Sequence, residues 1–137
     1  MNGRVSVGEL FLSPAGRAPR LPSLIAAAIL LTLAVLYEAM VDEQRVLHLL
    51  TGIVAYPALF YAGTCILSKR LHDRGRSGWW AAPILVATVA VWPHPIGFFD
   101  FPFFLVVLWA FVDLALMPGE TGSNRYGPNP LRPLAAA

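Results

Sequence analysis

The stretch KRLHDRGRSGWW, Lys69–Trp80, decides how the rest of the chain is organised. It sets four Lys and Arg side chains and one acid directly before two tryptophans, and a long apolar segment lies on each side of it. Cations next to aromatic rings at the edge of an apolar segment are typical of a membrane surface. We therefore interpret Lys69 to Gly78 as a polar loop between two membrane helices, with Trp79 and Trp80 at the headgroup level.

The composition places the whole chain in a membrane. Its 137 residues are enough for one domain, 57% of them are hydrophobic and only 13% are charged, and the mean hydropathy is +0.62. Soluble domains carry about twice that share of charge. The single cysteine, Cys65, excludes a disulfide within the chain. The sequence predicts one all-α membrane domain covering residues 1–137.

Proline and glycine divide the apolar sequence into four predicted transmembrane helices. Pro57 lies inside the second helix and should kink it. The third helix is only about 21 Å long at ~1.5 Å per residue, against a hydrocarbon core of roughly 30 Å. Either the membrane thins there or the proline-rich turn lies below the surface, protected by other helices. The predicted helices are residues 21–41, 46–67, 79–92 and 98–117.

The distribution of positive charge predicts the orientation. With four helices, both termini (residues 1–20 and 118–137) and the Lys69 to Gly78 loop lie on the same side. That side carries every Lys and Arg except Arg45, and basic loops stay in the cytoplasm during insertion. We expect both tails to be cytoplasmic. The basic residues on that side are Arg4, Arg17, Arg20, Lys69, Arg70, Arg74, Arg76, Arg125 and Arg132, and the acids on the other side are Asp42, Glu43 and Asp100.

Small residues form a stripe along the second predicted helix. They follow one another at steps of three or four, so they share one face on which a neighbouring helix can approach closely. We expect this face to pack against another helix, either in the same chain or in a second copy. The stripe is Gly52, Ala55, Ala58, Ala62 and Cys65.

Three ordered motifs resemble a known family, the small bacterial inner-membrane proteins catalogued as domain of unknown function 805. The central one is Leu67–Trp80. The other two are Phe11–Arg20, FLSPAGRAPR, and Pro118–Pro130, PGETGSNRYGPNP. The resemblance covers nearly the whole chain and departs in the proline-rich region 91–102. It implies the topology and an inner-membrane location, and no established activity.

All three motifs fall on the predicted cytoplasmic side and could form one site. One hypothesis is a site for an anionic lipid or a membrane-protein partner. The alternative is a structural clasp in which Asp73 accepts charge-assisted hydrogen bonds from Arg17, Arg70 or Arg125. Ser77 can also cap the third helix. The candidate residues are Gly16, Arg17, Arg20, Arg70, His72, Asp73, Gly75, Ser77, Gly78, Asn124, Arg125, Tyr126 and Gly127.

The sequence favours no enzyme, metal or cofactor. His72 and Asp73 are adjacent, and neighbours in a helix do not face one another. No second histidine or carboxylate completes a ligand set with them. Ser77 lacks a base and an orienting group, and Gly75-x-x-Gly78 lacks the Gly-Lys-Ser/Thr ending of a phosphate-binding loop. The sequence contains no recognised nucleic-acid-binding motif.

Two classes of function stay open. The first is a non-enzymatic accessory protein whose partners are membrane lipids with anionic headgroups, or a larger membrane complex. The second is a small channel or transporter, which would need a homo-oligomer because four short helices enclose little volume. The candidate transport residues are Asp113 and Glu38, acids within apolar segments. Each lies close to a helix end, where it can reach interface water.

Overall fold

The computed structural model describes residues 6–41, 44–92 and 94–132. The predictions that involve Arg4, Asp42, Glu43, Pro93 and residues 133–137 therefore lie outside the described residues. Within them the chain is helical, with one isolated bridge between Asn124 and Gly127. The α-helices are α1 (Val7–Leu12), α2 (Arg20–Val41), α3 (Arg45–Asp73), α4 (Ala81–Ala90) and α5 (Phe101–Ala110).

Three helices of the described chain are long and apolar enough to cross a membrane. They are Arg20–Met40, Arg45–Asp73 and Phe98–Leu116. The third predicted helix corresponds to Gly78–Ala90, a 3-10 turn followed by α4, and it is shorter than a membrane span. The all-helical class is confirmed, with three candidate membrane-spanning helices, whereas the number of crossings stays a prediction.

Helix α3 continues beyond its predicted end at Leu67, so the assignment of Lys69–Asp73 to a loop is wrong. No glycine or proline interrupts this segment, and the helix ends at Asp73, two residues before Gly75, whose φ is +68°. The amide of Gly75 donates to His72 O (3.0 Å) and that of Arg76 to Leu71 O (2.8 Å). This is a Schellman motif, in which glycine adopts a left-handed conformation at low cost. Lys69, Arg70 and Asp73 consequently stand at helical spacing, whereas Arg74 and Arg76 follow the helix.

The last helix is irregular at both ends. A 3-10 turn at Phe98–Asp100 precedes α5, and the Asp100 carboxylate accepts hydrogen bonds from the amides of Ile96 and Gly97 (2.9 and 3.0 Å). After α5 the chain continues as a π-helix, Phe111–Leu116. The sequence predicts a helix over residues 98–117 and gives no sign of the wider π turns.

The buried core lies at one end of the bundle, which we call the motif end because it carries all three sequence motifs. One apolar cluster joins α3, α4 and the last helix through Leu71, Ala81, Ile84, Ala110 and Leu114. A second joins α1, α2 and α3 through Leu10, Ala18, Ala26 and Ile66. In α3, Gly52 is the only buried residue before Gly63 among those described. The far half of α3 therefore presents most of its side chains outward.

The small-residue stripe is only partly covered within one chain. Gly52 and Cys65 are buried, Ala55 and Ala62 are half-buried, and Ala58 is exposed. A close approach to α4 is made by a residue outside the stripe. Gly63 is buried, and a Cβ at this position would lie 3.2 Å from Leu85 Cδ2.

Candidate functional site

Asp73, at the C-terminal end of α3, is the centre of the motif end. Its Oδ1 accepts from Arg17 Nε at 3.0 Å, and its Oδ2 accepts from Arg70 Nη1 at 2.5 Å. All three side chains are at least 95% buried. The Arg70 pair depends on the extra helical turn of α3, since residues three apart share a face. Arg125, the third predicted partner, does not contact Asp73.

Arg17 connects Asp73 to the C-terminal segment. Besides the carboxylate, its guanidinium donates to the carbonyls of Glu120 (2.7 Å), Gly122 (2.7 Å) and Gly127 (3.3 Å). The backbone adds a direct link, because Glu120 N donates to Asp73 O at 2.8 Å. One arginine from the N-terminal motif therefore holds the central and C-terminal motifs together.

Arginines also satisfy the free carbonyls at the end of the last helix. Arg70 Nε donates to Leu114 O (2.7 Å) and Arg70 Nη2 to Met117 O (2.5 Å). Arg20 donates to Leu116 O (3.0 Å) and Arg74 to Pro118 O (2.7 Å). The last carbonyls of a helix lack internal partners and carry partial negative charge. These arginines thus act as a side-chain cap.

Asp113, a candidate transport residue, lies in a second ion-pair group. It is 7% exposed, and its carboxylate accepts from Arg74 Nη2 and Arg76 Nε, both at 2.9 Å. Arg76 also lies over the ring of Trp109, 5.1 Å from its centroid. Asp113 is therefore bound to the residues that follow α3, at the motif end.

A stacked pair of rings covers the outer side of α3. His72 stacks on Tyr126 with ring centroids 3.8 Å apart, and Arg125 lies over the same tyrosine ring at 4.8 Å. His72 Nδ1 is 3.0 Å from Gly16 O, and Asn124 Nδ2 donates to His72 O at 2.9 Å. Every motif thus contributes to this contact.

At several motif glycines another side chain lies where a Cβ atom would be. A Cβ at Gly119 would overlap the Asp73 carboxylate, and one at Gly75 would overlap the carboxylate of Glu120. At Gly78 a Cβ would lie 2.8 Å from Ser68 Oγ. The nearby Ser77 side chain accepts from Trp79 N at 3.4 Å, at the start of the 3-10 turn.

The structure thus brings together the predicted residues of all three motifs and leaves other candidates apart. Glu38 and the small-residue stripe belong to other parts of the bundle. Sequence reasoning missed residues whose role depends on backbone partners far along the chain. Lys69, which donates to Ala15 O at 2.7 Å, is one of them. The others are Arg74, Arg76, Gly119 and Glu120.

This arrangement defines a class: a helical membrane protein whose motifs fold into one polar, arginine-rich cluster at the end of its bundle. Among the described residues, no three His, Cys, Asp or Glu side chains are grouped closely enough to hold a metal ion. The cluster consists of hydrogen-bonded ion pairs and of arginines that cap the end of the last helix.

Comparison with known proteins gives the family. The chain belongs to the family described as "Protein of unknown function (DUF805)", whose sequence model matches residues 11–128. The resemblance drawn from the three motifs is confirmed. The "Uncharacterized protein YiiR" of Escherichia coli (strain K12) is 32% identical over 94 residues, which cover 61% of this chain and 63% of that protein. Its counterpart in Escherichia coli O157:H7 matches equally. No solved structure matches.

Proposed function

We propose that the chain is a non-enzymatic accessory protein of the bacterial inner membrane, whose motif end faces the cytoplasm and binds anionic lipid headgroups. In this proposal α2, α3, α4 and the last helix all cross the membrane, and both termini are cytoplasmic. The proposal combines the family membership with the basic bias of one end of the bundle.

The excess positive charge at the motif end supports lipid binding. Among the described residues this end holds eight Lys and Arg side chains against four acids, which are Glu9, Asp73, Asp113 and Glu120. Most of the cations are turned inward onto carboxylates and carbonyls. The exposed ones are Arg20, Arg76, Arg125 and Arg132.

The single observation that carries the proposal is that exposed arginines share the motif end with an exposed tryptophan. Trp79 is 86% exposed and starts the segment that leads into α4, where an indole ring at the headgroup level is favourable. Each well-placed cation near an anionic membrane surface contributes ~1 kcal/mol of attraction. Arg20 and Arg76 are engaged within the cluster, whereas Arg125 and Arg132 form no ion pair among the described residues and are left to contact lipid.

The identity of the lipids that stay bound to the purified protein tests whether it binds anionic headgroups. We would reconstitute the chain in nanodiscs of mixed phosphatidylglycerol and phosphatidylcholine and measure, by native mass spectrometry, which lipid stays bound. Arg125→Gln combined with Arg132→Gln should reduce the enrichment of phosphatidylglycerol. Arg45→Gln, an exposed arginine at the opposite end, is the matched control. Equal enrichment in the wild type and the double variant contradicts the proposal.

The alternative, an oligomeric channel or transporter, receives less support from the geometry. Asp113 is engaged by Arg74 and Arg76, and such a buried ion pair is a common structural arrangement. A liposome flux assay separates the two classes. Selective flux that is lost in Asp113→Asn, with helical content unchanged, favours transport over the accessory role.

A further inference from the structure

The two helical hairpins of the bundle differ in length. Leu71, Ala81 and Leu114 share one buried cluster and so mark a common level in α3, α4 and the last helix. From that level α3 runs about 39 Å to its first residue at ~1.5 Å per residue, whereas the last helix runs about 24 Å to Phe98. The α4–α5 hairpin therefore ends about 15 Å short of the far end of α3.

The short hairpin ends in exposed apolar side chains. Ile96, Phe98 and Phe99 are 83%, 86% and 85% exposed. Between Asp113, which is paired with two arginines, and Phe98 the last helix measures about 22 Å. This is about 8 Å less than a hydrocarbon core of roughly 30 Å. In an undistorted bilayer the turn of this hairpin would lie in hydrocarbon, where irregular backbone exposed to lipid does not occur.

A polar group lies on α2 and α3 just beyond the end of the short hairpin. The Tyr56 hydroxyl donates to Glu38 Oε1 at 2.6 Å, and its oxygen is also hydrogen-bonded to His48 Nε2. A hydroxyl has one proton to donate, so His48 must be the donor in its bond. Tyr37 forms a further bond to Thr51, with 2.9 Å between their oxygens.

Tyr56 of this polar group stands on the face of α3 that also carries Gly63, and its partner Glu38 lies on α2. Gly52, Tyr56 and Gly63 are separated by four and seven residues, so they share one face of α3. Gly63 on that face contacts Leu85 of α4. Tyr56 lies about 10 Å beyond Gly63, whereas α4 ends about 8 Å beyond Leu85. Other faces of α3 at this level are apolar and exposed, with Val46, Leu50, Ile53 and Val54 between 67% and 75% exposed.

We propose that the bilayer thins locally on the α4–α5 flank, so that headgroups and water reach both the end of the short hairpin and the Glu38–Tyr56–His48 group. Acyl chains of normal length cover the apolar flank of α3. Water at this level on the α4–α5 flank solvates both the turn of the short hairpin and the polar group around Tyr56. Thinning around a short apolar segment is a known response to mismatch, at a modest cost per ångström. The inference rests on the proposed membrane crossing and is independent of anionic lipid binding.

The depth of a single tryptophan in the bilayer tests whether the membrane is thinner on the α4–α5 flank than on the apolar flank of α3. Trp79→Phe, Trp80→Phe and Trp109→Phe together leave Trp92, near the end of the short hairpin, as the only indole. A companion protein with Trp92→Phe as well carries Ala58→Trp, an exposed position on the same face of α3 as Val54. Residue 58 lies about 20 Å from the level of Leu71, and Trp92 lies about 17 Å from the level of Ala81. Both are placed in vesicles of zwitterionic dioleoylphosphatidylcholine, so that the result does not depend on anionic lipid. Depth is read from quenching by lipids brominated near the headgroup or near the bilayer centre.

We expect Trp92 to lie about 8 Å closer to the bilayer surface than the indole in the companion protein, which is the shortfall of the short hairpin. Trp92 should also be quenched by aqueous acrylamide. Strongest quenching of Trp92 by the central bromines overturns the proposal, and equal shallow depth of both indoles overturns the asymmetry.

If the tryptophan replacements unfold the protein, the wild type provides a second measurement. Its Tm in phosphatidylcholine vesicles should fall as the monounsaturated chains lengthen from fourteen to twenty-two carbons. A Tm that is highest in the longest chains overturns the proposal.

Discussion

Replacing Asp73 by asparagine should release the C-terminal segment from the bundle. The carboxylate lies between two buried guanidinium groups, Arg17 on one oxygen and Arg70 on the other. Asparagine has the same shape but keeps one acceptor oxygen and replaces the other by an NH₂ donor. One buried arginine would then face a donor, and neither arginine would have a counter-charge at this position.

The expected loss is large because both arginines stay buried. Removing one partner of a buried ion pair costs ~3–5 kcal/mol. Asparagine can still accept one bond, so we take the lower value of about 3 kcal/mol. At ~1.4 kcal/mol per factor of ten, opening of the 118–130 segment becomes about a hundredfold more populated. Arg17 also contacts the carbonyls of Glu120 and Gly122, so the segment itself should open.

Trypsin cleavage after Arg125 measures this opening, because the bond lies inside the segment. When closing is fast compared with cleavage, the cleavage rate follows the population of the open state. Glu9→Gln is the matched control: it makes the same change of charge in an exposed side chain at the motif end, and its carboxylate bonds only to Ser6 N at the start of α1. Arg74→Gln is a poor control because Arg74 itself donates to Pro118 O. Equal cleavage rates for the wild type and Asp73→Asn refute the clasp.

Three further predictions address other parts of the bundle. Gly119→Ala should open the 118–130 segment as Asp73→Asn does, because a Cβ would overlap the Asp73 carboxylate. A Cβ at Gly122 would meet nothing within 4 Å, so trypsin should cleave Gly122→Ala at the wild-type rate. Gly63→Leu should lower the Tm in detergent by separating α3 from α4, whereas Ala58→Leu, at an exposed position, should leave the Tm unchanged. A change of oligomeric state in Ala58→Leu would show that this face is an interface between copies of the chain. Reporter fusions after residue 137 should give a cytoplasmic signal, and a periplasmic signal would rule out the four-span topology.

The sequence predicted the helices well because their signal is local. Apolar runs of the required length, interrupted by proline and glycine, define membrane helices without reference to the rest of the fold. The prediction of a loop is wrong at Lys69–Asp73, where clustered charges suggest a loop and the chain is helical. Charge alone does not break a helix, and Gly75 was the stop signal that the sequence did contain.

The motifs themselves could be recognised in the sequence, but their contacts could not. The sequence determined by itself that the chain is a helical membrane protein, to which family it belongs, and that Asp73 is the single acid among clustered cations. Only the tertiary structure decided that Arg17 and Arg70 are its partners and that Arg125 lies over Tyr126 instead. Arginine binds carboxylates, carbonyls and rings alike. Which of these it meets depends on elements up to about a hundred residues apart, and that proximity exists only after the helices have packed.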